Sequence, residues 1–122
     1  MSDKDALVFF GEKLIKSVRD QAVFEFEATL SGKIKSERAI RLYSEISGFD
    51  KHQIDILRKF VFTSIDNVIY NTLNMLEQNE DNMRLLISQD GDNEKNVVEI
   101  SDGLSGELFT ENGWIEKFSK YK

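Results

Sequence analysis

Between Ile54 and Leu76 the chain places apolar side chains at Ile54, Leu57, Val61, Ile65, Val68, Ile69, Leu73 and Leu76. That three-and-four spacing lasts about six turns and specifies an amphipathic helix more firmly than any other pattern in the sequence. The chain contains no proline, so nothing inside the stretch removes a backbone donor or fixes φ against the helix. Asp50 is placed to cap the start. The pattern fades into the connector "EQNEDN" after Leu76, which has no apolar residue. Phe60, Phe62 and Tyr70 widen the apolar arc, which predicts contact on more than one side and a course through the middle of the core.

Upstream, Ser2 and Asp3 suit a helix start, and Leu7, Phe10, Leu14 and Val18 recur at helical spacing, continued by Val23, Phe26 and Leu30. The segment "VFEFEA" alternates like a strand, but its flanks are helical and no turn signal intervenes before Ser31-Gly32, where Gly32 is a natural helix stop. A shorter helix starts at Ser36, with Ile40, Leu42, Tyr43 and Ile46 as its apolar face and Gly48 at its end. The long helix is thus the third. After Asn82 the pattern changes: "MRLLIS" and "VVEIS" flank the turn-rich "QDGDNEKN" and predict a long-looped antiparallel β-hairpin. "GELF" is a candidate third strand, and "NGWIEKFSKY" a short C-terminal helix. The expected fold class is α+β. A single domain over 1–122 is expected, with a helical part over about 3–79 and a β-rich clasp over about 83–122.

Composition narrows the function classes. With no cysteine, there is no disulfide framework, no thiolate zinc site and no cysteine nucleophile, and a reducing cytoplasm is expected. The opening segment carries Asp3 and Asp5 beside a short apolar run, Ala6 to Phe10, unlike a signal peptide, and no stretch suits a membrane span. Residues 1–60 hold 11 basic and 10 acidic side chains, a net of +1, and residues 61–122 hold 5 and 12, a net of −7; together they give the chain's −6. An acidic half repels nucleic acid and favours a basic protein partner. Glu77, Glu80, Asp81, Asp90, Asp92 and Glu94 are the candidate partner surface. The basic cluster Lys33, Lys35, Arg38 and Arg41 lacks interleaved aromatics and is better matched to a helix C-terminus than to nucleic acid.

No catalytic constellation is recognisable. "GLSGE" lacks nucleophile-elbow spacing, and the sole histidine, His52, begins the third helix far in sequence from Ser105. Asp102 and Glu107 would surround any phosphate with like charge. From Asp90, a calcium-loop register puts Lys95 where glycine belongs and Ser101 where glutamate belongs, so no metal and no cofactor is expected. Glu25 and Glu27 lie among apolar neighbours but two apart on a helix, where they diverge.

The stretch from Ser101 to Tyr121 is better explained as a structural clasp. Asp102-Gly103 and Asn112-Gly113 suit turns, Gly103 a positive φ, Gly106 a bulge or close approach, and Trp114, Ile115 and Phe118 one face of a terminal helix. The pattern Asp102, Gly103, Leu104, Gly106, Glu107, Leu108, Phe109, Glu111, Gly113, Trp114, Ile115, Phe118, Ser119 resembles the C-terminal signature of a group of small uncharacterised bacterial proteins. That resemblance implies a bacterial origin and a tail that defines the fold; it implies no activity. The functional expectation is a non-enzymatic protein-binding module of immunity or inhibitor type, with a helix-mediated homodimer as the alternative.

Overall fold

Ser2 and Asp5 cap each other at the start of α1 (Asp3–Leu14): the Ser2 hydroxyl accepts from the Asp5 amide and the Asp5 carboxylate from the Ser2 amide. The computed structural model describes residues 2–89, 91 and 93–122. The helical path does not stop at Leu14. It widens into a π-helical turn over Ile15–Arg19, where the Asp20 amide reaches back five residues to the Ile15 carbonyl, and resumes as α2 (Asp20–Leu30). One extra residue in a turn re-phases the helix face. The expected apolar stripe therefore breaks at Val18, which is 49% exposed, and Arg19 takes the inward position at 2% exposure.

Gly32, at φ +71, ends α2. The Lys33 amide bonds to the Ala28 carbonyl and the Gly32 amide to the Thr29 carbonyl, the two bonds of a Schellman stop. Lys35 donates to the Gly32 carbonyl, as its position after a helix C-terminus suggested. α3 (Glu37–Glu45) is capped by Ser36 and buries only Ala39. α4 (Lys51–Gln78) is the expected long helix, with Asp50 and Gln53 forming its capping box. It is not the spine of the core throughout. Ile69 and Leu73 are buried, whereas Phe60 is 69% exposed and Val68 65%. Arg19–Asp66 and Glu27–Arg58 contacts at 2.6 Å show α4 running antiparallel to the π turn and α2.

The C-terminal third is less extended than expected. β1 (Leu86–Ile87) and β2 (Lys95–Asn96) pair antiparallel, Leu86 opposite Asn96 and Ile87 opposite Lys95. "VVEI", expected as strand, is instead α5 (Val97–Ile100), because the Asn96 side chain accepts from the Val98 amide and turns the chain out of the ladder. "GELF" is likewise no strand: Ser105–Glu107 form a 3-10 turn. α6 (Trp114–Phe118) follows as expected. Ile15, Ile69, Leu73, Val97, Leu104, Leu108 and Trp114 form one buried cluster, so the tail and the helices share a core.

Candidate functional site

The tail is fastened at two points. Trp114 is 4% exposed, meets Phe10 edge-on at a ring separation of 5.7 Å, and lies so close over Gly11 that a Cβ there would be 2.4 Å from the indole. Gly113 is also sterically required, since a Cβ would stand 2.9 Å from the Leu108 carbonyl oxygen. Phe118 packs against the same cluster. The expectation for Gly103 and Gly106 is corrected: neither has positive φ, and a Cβ on either meets nothing within 4 Å. Thr110 carries the unusual backbone instead, at φ 152.

The second point is a buried polar knot that sequence reasoning missed. Arg19 Nε donates to Asp66 at 2.6 Å and Arg19 Nη1 to the Ser119 hydroxyl at 2.8 Å and to the Tyr121 carbonyl. The Ser119 hydroxyl donates to Asp20 at 2.6 Å, and Asp20 also accepts from the Lys120 amide. The π turn, α4 and the chain end thus meet on one guanidinium, and buried charge is tolerable there because each donor has an acceptor. One signal was present in the sequence: Asp66 is the sole charged residue between Phe60 and Leu76.

The weighed catalytic pairs do not assemble. The Ser105 amide donates to the Glu77 carboxylate, while His52 lies 25 residues before Glu77 on the same helix, about 38 Å away at 1.5 Å per residue. His52 lines an open cleft of about 610 Å³ with Arg19, Asp55, Ile56, Arg58, Lys59, Phe62, Thr63, Asp66 and Lys122. Its two carboxylates are committed, Asp66 to Arg19 and Asp55 to Arg58 at 3.2 Å. Glu25 is exposed, and Glu27 faces Arg58, whose pKa that hydrogen bond raises. Glu107 is pushed up by burial, with Asp102 adding to the rise and Lys117 opposing it.

Of the acidic surface, Glu80, Asp81 and Glu94 are exposed, Glu77 is engaged with Ser105, and Asp90 and Asp92 lie outside the described residues. Among the described residues no three metal-ligating side chains converge, and no helix is long and apolar enough to cross a membrane.

The most distinctive surface lies on the helices. From Phe60 to Leu76 the only charge, Asp66, turns inward to Arg19, so Thr63, Ser64, Asn67, Val68, Tyr70, Asn71, Thr72 and Met75 face solvent without one charged side chain. Beside this face runs a groove of about 280 Å³ between the π turn, α2 and α4, lined by Val18, Ala22, Ser64, Ile65, Val68 and Ile69. Its lining can take an apolar side chain and little else. The sequence matches no family model, and no curated protein or solved structure is similar to it.

Proposed function

We propose that this protein is a non-enzymatic protein-binding module whose contact surface is the uncharged face of α4 with the adjoining groove. The supporting observation is the composition of that face. The chain is 31% charged, and a solvated helix face in such a chain ordinarily carries its share. Loss of charge from a patch that retains exposed apolar side chains is the mark of an interface core.

A photo-crosslinking residue placed at Val68, in cells that make the chain, tests this. Adducts at position 68 that persist at high salt are expected, since apolar contact is not screened as ion pairing is. The same probe at Leu86, which is exposed on the hairpin, should give none. No adduct at 68, or equal adducts at both positions, refutes the assignment.

A further inference from the structure

We infer that the occupant of this face is a second copy of the chain, packed with its α4 antiparallel to the first across a two-fold axis near the helix midpoint; the inference rests on reading the face as an interaction surface. Charge is the first argument. Each copy carries −6, so two copies repel unless they meet where neither presents charge. In a two-fold contact the same patch meets itself, and any charge on it would be brought close to its own image. A basic heterologous partner, by contrast, would find nothing on this face to pair with.

Shape is the second. An antiparallel register that sets Ser64 opposite Val68 also sets Leu57 opposite Met75 and Val61 opposite Asn71. Val68, 65% exposed, then enters the groove of the other copy, where the small side chains of Ala22 and Ser64 leave room for it. Small residues facing large ones let helices approach to about 8–10 Å. Size is the third. The uncharged segment of α4 is about 25 Å long and, with the groove beside it, about 15 Å wide, or about 375 Å² per copy. The two copies together bury about 750 Å², the size of a weak, reversible contact.

Light scattering after gel filtration and sedimentation equilibrium, at concentrations up to about 100 µM, provide the test. The wild-type chain of 14.1 kDa should give twice that mass. Val68→Glu should raise the dissociation constant by at least about 100-fold, because the buried charge has no partner; circular dichroism checks that the variant is folded. Leu86→Glu replaces another exposed apolar residue, 45% accessible and on the hairpin, and should leave the dimer intact. A wild-type monomer at the highest concentration, or a Val68→Glu dimer as tight as wild type, overturns the inference. Since the chain has no cysteine, orientation can be read by mixing Ser64→Cys with Val68→Cys copies under oxidation. Mixed disulfides support the antiparallel register, and disulfides only between like copies overturn it. A monomeric chain whose position 68 still crosslinks to a different protein sinks self-association and leaves the binding module standing; a monomer with no adduct sinks both.

Discussion

Replacing Gly11 with alanine should destabilise the protein, against the usual rule for a glycine inside a helix. In an isolated helix the change gains about 1 kcal/mol. Here the added Cβ would lie 2.4 Å from Cε2, 2.5 Å from Nε1 and 2.6 Å from Cδ2 of Trp114. Ordinary carbon contacts need about 3.5 Å or more, so the indole and α1 must separate by about 1 Å. The ring cannot swing aside freely, because it is 4% exposed and braced by Phe10. Overpacking of this kind costs about 1–3 kcal/mol. A closure this tight belongs at the upper end, which leaves a net loss of about 2 kcal/mol after the helix gain.

Urea unfolding followed by the fluorescence of Trp114, the single tryptophan, measures this loss. A Trp114→Leu background, monitored by circular dichroism, isolates its cause. Without the indole the clash disappears and Gly11→Ala should stabilise by about 1 kcal/mol, so the cycle should give a coupling of about 3 kcal/mol. Gly11→Ala stabilising the otherwise wild-type chain, or a coupling near zero, would refute the contact.

Asp66→Ala should cost about 3–5 kcal/mol in thermal or urea unfolding, because it strands Arg19 as a buried charge without its main partner. Gly113→Ala should destabilise measurably, while Gly103→Ala and Gly106→Ala stay within about 0.5 kcal/mol of wild type, since only the first meets backbone atoms. Glu107 has a folded pKa above its unfolded one. Its contribution is therefore fully present below the ordinary glutamate range of about 4 and is lost as pH rises through the folded value. Glu107→Gln should accordingly gain stability over wild type at pH 7, and the gain should shrink towards pH 4 in paired melting curves; a gain independent of pH would contradict the burial.

The helical part was legible because caps and stops are local. Ser2, Ser36, Asp50 and Gly32 each act within five residues in sequence, and each does what its residue type predicts. The β-rich expectation for the tail was less successful. Two valines in succession favour a strand on propensity, but Val97 is buried in the shared core and Asn96 caps the turn after it. That contest was settled by tertiary contact, which periodicity does not report. Trp114 was legible as a residue with a structural task, whereas Gly11, which makes room for it, carried no signal. The knot around Arg19 was illegible for a similar reason: its partners lie 47 and 100 residues away.

The π turn connects the fold's least legible feature to its most distinctive surface. A regular helix would have continued the stripe from Leu14 to Val18 and turned Arg19 towards water. The inserted residue reverses both. Arg19, turned inward, takes up Asp66 and so removes the only charge that the segment from Phe60 to Leu76 could have offered to solvent. Val18, turned outward, joins Ala22, Ser64 and Val68 in lining the groove. A single change of helical phase therefore fastens the chain end through Ser119 and Tyr121 and leaves a neutral, apolar face alongside it. Deleting Ser17 removes the extra residue, so the turn should become regular helix while Arg19 moves one position back, onto the inward face that Val18 would hold in an uninterrupted helix. The knot and the tail should then survive, seen as proteolysis after Phe118 no faster than in the wild-type chain. Faster cleavage there in the deletion variant would show that the wide turn itself, and not the phase it sets, holds Arg19 against Asp66.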